Sequence, residues 1–138
     1  MTDKQLMKIA VNAREMSYSP YSNFRVGAAL LGLSGKVYTG CNVENAGYSP
    51  TNCAERTALF KAISEGEREF SAIAIVGGSG DKLNDFCPPC GVCRQVLAEF
   101  CDKDFRFILG TPDNIKVVTM EEILPYSFGK GDLGEITL

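Results

Sequence analysis

The sequence predicts a layered α/β domain in which helices pack on one mixed sheet of roughly five strands. Three observations predict it. Segments with helical periodicity alternate with strand-like runs along the chain. The length of 138 residues suits one domain, and 45% hydrophobic with 22% charged residues is ordinary globular composition. A chain of this size buries about two-thirds of the surface that its unfolded form exposes, enough for a core without staples. Residues 1–138 therefore read as a single domain, without repeat, linker or low-complexity segment.

The elements follow in order. Thr2 and Gln5 form a capping-box signature, and Leu6, Ile9, Ala10 and Ala13 recur at helical spacing, predicting a first helix over 2–16. After a loop at 18–23, residues 26–31 and 36–41 flank the turn signal Ser34-Gly35 and read as an antiparallel hairpin. A polar loop over 42–52 leads into the strong helix formers of 54–63, so a second helix begins close to Cys53 and stops before Gly66. Residues 71–76 are continuously apolar and rich in β-branched types, the pattern of a strand buried on both faces. That strand is expected to end in the glycine-rich loop 77–80. A third helix opens near Cys90 and runs through Val96, Leu97 and Phe100, followed by strands at 105–109 and 115–118. Thr119 with Glu122 marks a second capping box and a short helix ending near Pro125.

Six cysteines and no histidine are the unusual counts. Without imidazole, Ser-His-Asp and Cys-His catalysis and the HExxH metalloproteases are excluded, and sulfur or carboxylate must hold any metal. The N-terminus lacks a basic stretch followed by an apolar run, and nowhere do eighteen apolar residues occur together. The expectation is a soluble, cytoplasmic protein with no membrane partner. In that reducing compartment the cysteines read as ligands, nucleophiles or buried small hydrophobes rather than a disulfide framework. A net charge of −3 without a Lys/Arg cluster argues against nucleic acid and for a small, weakly charged partner.

The most informative motif is Pro89-Cys90-Gly91-Val92-Cys93 at the start of the third helix. Two thiols in a helix's first turn can face one ion, with the backbone N–H groups and the dipole favouring thiolates. Thioredoxin-like redox pairs and structural zinc knuckles share such a motif. Cys53, at another predicted helix start and two places before Glu55, supplies a third thiol. Structural zinc takes four protein ligands, whereas catalytic zinc takes three and leaves a position open. The rival is a closed four-sulfur site using Cys87, or in principle Cys41. Pro88 and Pro89 hold Cys87 extended and poorly placed for it. Cys101 reads as a packing residue. Three thiolates on Zn²⁺ carry a net charge of −1 that needs compensation, for which the two helix dipoles, Arg56 and Arg94 are the candidates.

The motifs Cys53-Ala54-Glu55 and Pro89-Cys90-Gly91-Val92-Cys93-Arg94-Gln95 closely resemble those of the zinc-dependent cytidine deaminases of the short homotetrameric kind. The likeness covers nearly the whole chain: Tyr18-Ser19-Pro20-Tyr21-Ser22 with Phe24, Val26-Gly27-Ala28-Ala29-Leu30, Gly40 to Ala46, and Cys53 to Ala58 stand in the family's order and spacing. It implies a cytidine deaminase-like α/β/α fold, one zinc ion per subunit held by Cys53, Cys90 and Cys93, and Glu55 as the catalytic proton shuttle. The implied reaction converts cytidine and deoxycytidine to uridine and deoxyuridine with release of ammonia, a step of pyrimidine salvage. By the same resemblance Asn42 and Glu44 bind the ribose 3′-hydroxyl, Phe24 packs on the pyrimidine, and Ala54 belongs to the substrate-binding set. Ala46, Tyr48 and Phe128 would act across a subunit boundary in a homotetramer with shared active sites, and Arg56 would offset the thiolate charge. A carboxylate at Glu44 repels phosphate, which favours a free nucleoside over a nucleotide. One departure from the pattern is Cys87-Pro88, where a small polar residue is common before the proline. A blasticidin-type deaminase on the same scaffold, a structural zinc module and a CxxC redox protein are the competing readings.

Overall fold

The computed structural model describes residues 1–134. The first helix, α1 (Asp3–Arg14), has Thr2 as its N-cap, and Thr2 and Gln5 exchange the two hydrogen bonds of a capping box. The hairpin pairs β1 (Phe24–Gly32) antiparallel with β2 (Val37–Cys41), and Gly35 in the turn takes φ +93°, open to glycine at little cost. Helix α2 (Ala54–Ser64) starts on Cys53 and α3 (Gly91–Ala98) on Cys90. Strands β3 (Phe70–Ser79), β4 (Arg106–Thr111) and β5 (Asn114–Thr119) complete the sheet. Thr119 and Glu122 form the second capping box, on the short α4 (Met120–Ile123). A 3₁₀ turn, Lys130–Leu133, follows.

The sheet is five-stranded and mixed, in the order β2-β1-β3-β4-β5, with β3–β4 as its parallel pair. Alternation along β1, β3 and β4 separates two apolar layers. On one face Leu6, Met7 and Ala10 of α1 meet Ala29, Ala74, Val76 and Ile108. On the other, Ala54, Ala58 and Leu59 of α2 and Leu97 of α3 meet Leu30, Ile73, Ile75 and Phe107. Fully burying each large apolar side chain contributes about 1.5–3 kcal/mol. Helices thus cover both faces, as the α/β/α expectation has it.

Among the boundaries that differ from the sequence expectation, two bear on the site. Strand β3 continues through Gly77 and Gly78 instead of ending before them. A Cβ at Gly78 would lie 2.1 Å from the Lys82 carbonyl oxygen, so glycine here serves a close backbone approach inside a strand. Helix α3 ends at Ala98, short of Phe100. Cys101, just beyond it, packs against the core as expected. Arg14, 3% exposed, anchors the C-terminal end of α1: its guanidinium donates to the carbonyls of Arg25, Gly78, Gly80 and Lys82.

Candidate metal centre and active site

The α1–β1, β2–α2 and β3–α3 connections meet at one end of the sheet. Both helices that enter there carry cysteine where an oxygen cap is usual. With φ and ψ extended, the N-cap residues Cys53 and Cys90 point back over the first turns, and Cys93 sits three residues into α3. The three Sγ atoms lie within 4.8 Å of one another. Cys53 and Cys90 are 3.7 Å apart, against about 3.8 Å for two sulfurs on a tetrahedral zinc with Zn–S near 2.3 Å. The donor set therefore fits a zinc ion. Cys87 lies outside this cluster, so the closed four-sulfur alternative is not formed among the described residues.

The electrostatics favour a thiolate at Cys53. Arg56 Nη2 donates to Cys53 Sγ at 3.3 Å, and the N–H of Cys93 donates to Cys90 Sγ at 3.5 Å. A hydrogen bond from Cys93, with further help from Arg56 and Cys90, drives the Cys53 thiol well below its ordinary range. The Cys93 thiol, the other half of that pair, is pushed up by Cys53 and by burial. Arg94 takes no part. Its Nε donates to the Pro89 carbonyl at 2.9 Å and its Nη1 to the Ile123 carbonyl at 2.8 Å, so of the two candidates for offsetting the thiolate charge Arg56 is the one that reaches a sulfur. Five N–H donors on a long side chain reach whichever acceptors lie nearest, and here those are backbone carbonyls.

Glu55, in the first turn of α2, is 4% exposed. Burial, reinforced by the charge on Cys53, pushes its carboxyl up to about 7. It lies at the foot of a cavity of about 240 Å³, together with Cys53, Ala54 and Cys90. Phe24 and Val26 form an apolar part of the wall, and Asn42, Glu44 and Ser22 a polar part.

Asn42 is mostly committed to the fold. Its Oδ1 accepts from Ser17 Oγ and from the Val26 N–H at 2.9 Å, and its Nδ2 donates to the Phe24 carbonyl at 2.7 Å. One N–H remains to donate. Glu44 is held as an acceptor: Oε1 takes the N–H groups of Tyr21 and Ser22 at 3.0 and 3.1 Å, and Oε2 the Ser22 hydroxyl. These bonds, the Ser22 hydroxyl foremost, hold its carboxyl below the usual carboxylate range. Donor and acceptor thus sit side by side, as one hydroxyl group needs.

Seven of the expected site residues line this cavity: Phe24, Asn42, Glu44, Cys53, Ala54, Glu55 and Cys90. Cys93 lies behind it, wholly buried. Ala46, Tyr48 and Phe128 are not among the lining residues. Tyr48 is 74% exposed at φ +57°, and Phe128 is 60% exposed with its carbonyl accepting from Gln95 Nε2 of α3 at 2.9 Å. Ser17, Ser22 and Asn52 belong to the site or its supports without having been singled out for it, and Cys87, weighed above as a rival ligand, lines the cavity instead. Ser22 lies inside the Tyr18–Ser22 motif, the one signal that could have found it.

Comparison with known proteins bears on this geometry. Residues 1–109 match the family model described as the cytidine and deoxycytidylate deaminase zinc-binding region. A protein of Halalkalibacterium halodurans named cytidine deaminase is 49% identical over 136 residues, covering 98% of this chain and 100% of its own. One from Sporosarcina psychrophila with the same name is 46% identical over 96% of each chain. The crystal structure of cytidine deaminase from Burkholderia pseudomallei superposes with a TM-score of 0.86 at 46% identity, over 93% of this chain and 100% of that one.

Proposed function

The chain belongs to the cytidine and deoxycytidylate deaminase zinc-binding family, and from that premise we propose that it converts cytidine and deoxycytidine, with water, into uridine and deoxyuridine plus ammonia. The observation that carries the reading is a buried carboxyl, Glu55, beside three clustered sulfurs at the foot of one cavity.

Cys53, Cys90 and Cys93 would hold the zinc ion, which supplies Lewis acidity that makes water nucleophilic near neutral pH. Glu55 moves the protons. Its carboxylate takes one from the attacking water and delivers it to ring N3, drawing electrons from C4. It then passes a proton to the amino group, which leaves as ammonia while the C4 oxygen becomes the carbonyl of the product. A carboxyl poised near 7 suits both directions of transfer. Arg56 offsets the thiolate charge. Asn42 donates to the nucleoside 3′-hydroxyl and Glu44 accepts from it, an arrangement indifferent to the 2′ position and therefore open to both nucleosides. Phe24 covers the ring and Ala54 closes the floor.

The same reading takes 1–138 as one catalytic domain and has Ala46, Tyr48 and Phe128 complete a neighbour's cavity in a homotetramer. Their surface exposure supports it. No helix among the described residues is long and apolar enough to cross a membrane. Six free thiols, three of them clustered as metal ligands, suit the reducing cytoplasm, where we place the protein as a pyrimidine-salvage enzyme. Incubating the zinc-loaded protein with cytidine, deoxycytidine and blasticidin and following uridine, deoxyuridine and ammonia tests the proposal. The expected result is stoichiometric ammonia from the two nucleosides; release from blasticidin alone would overturn it.

A further inference from the structure

One thiol in the cavity is used by neither the sulfur cluster nor the proton transfer. Cys87 is 7% exposed, lines the cavity wall, and lies outside the group of three clustered sulfurs. Its Sγ rests on bare backbone. A Cβ at Gly77 of β3 would fall 2.6 Å from that sulfur, 3.1 Å from Val26 Cγ2 and 3.3 Å from Phe24 Cε1. The missing side chain at Gly77 is what admits the sulfur, and Cys87, Val26 and Phe24 together make one apolar wall. Burial, then the nearby Glu55 carboxylate, pushes the thiol up to about 11, so it presents a neutral surface to the cavity.

The proposed reaction fixes which part of a pyrimidine meets this wall. C4 must lie toward Cys53, Cys90 and Glu55, and the sugar at N1 toward Asn42 and Glu44. N3 and O2 are hydrogen-bonding atoms and lose free energy against an apolar surface, whereas the C5–C6 edge carries only C–H bonds and loses none. We propose, resting on the deaminase reading above, that Cys87 is a specificity-determining residue whose sulfur sets the clearance for the C5 edge of the ring. Cytosine nucleosides unsubstituted at C5 fit against it; those with added bulk at C5 meet the sulfur.

The test is kcat/KM for cytidine and for 5-methylcytidine in zinc-loaded wild type, Cys87→Ala and Cys87→Val. One methyl group against a close wall is worth about 10–200-fold. Cys87→Ala is expected to raise the 5-methylcytidine-to-cytidine ratio at least about tenfold, and Cys87→Val to lower it. A purely structural thiol would change both substrates together and leave the ratio alone. If Cys87→Ala does not fold, the opposite shift in Cys87→Val decides. A wild-type protein that leaves cytidine unchanged would overturn the underlying reading and the proposal with it, while an active wild type whose ratio stays within twofold in the folded variants overturns the proposal alone.

Discussion

Glu55 carries the sharpest residue-level expectation. Replacing it with glutamine keeps the shape and removes the transferable proton, so Glu55→Gln should retain one zinc per chain and the wild-type fold while kcat falls roughly 10²-fold or more. Metal analysis, circular dichroism and steady-state kinetics check this, and near-wild-type turnover would remove Glu55 from the mechanism. Cys53 with Arg56, and Cys90 with Cys93, are legible in the sequence because helix-start geometry is local: an N-cap and the third residue after it face the same point, while the meeting of the two helix starts is tertiary. Arg94 is not legible in that way. It neighbours Cys93 in sequence, yet its guanidinium reaches carbonyls at Pro89 and Ile123 that only the tertiary fold supplies. Ser17, whose hydroxyl donates to Asn42 across 25 positions, is hidden for the same reason.

At the scale of elements, the site depends on how closely helices approach the sheet. Gly27 and Gly40 let α1 and α2 lie directly on the hairpin: a Cβ at Gly27 would fall 2.1 Å from the Ala10 carbonyl oxygen, and one at Gly40 2.3 Å from that of Ala54. Both obstacles are backbone and cannot swing aside. Gly27→Ala should therefore destabilise by about 1–3 kcal/mol or more, measured by urea unfolding at fixed protein concentration. A loss under about 0.5 kcal/mol would show that α1 can move outward freely. The caps at Thr2 and Thr119 and the hairpin turn read out of the sequence because each is settled within four residues. The run through Gly77 and Gly78 misleads, since the same two glycines serve a loop or a close approach, and only the positions of Lys82 and Cys87 decide between them.

For the whole molecule, a zinc ion held by Cys53, Cys90 and Cys93 would tie the start of α2 to that of α3, so metal binding would also stabilise the folded state. Removing zinc with a chelator should lower the thermal midpoint and abolish turnover, and restoring zinc should recover both. An unchanged midpoint would mean that the two helix starts hold their places without the ion. The proposed shared sites give a separate expectation: a chain cut before Pro125 should still bind zinc but lose activity, and a fully active truncated monomer would refute it. Mixing that truncated chain with Glu55→Gln chains should restore part of the turnover, because each supplies what the other lacks.

The bond from Gln95 to the Phe128 carbonyl gives α3 a second load. The helix that carries two of a subunit's own ligands also steadies the aromatic that the subunit is proposed to lend away. A subunit that loses its metal would then harm two sites, its own and its neighbour's, so partial demetallation of an assembly should depress activity faster than the count of empty centres falls.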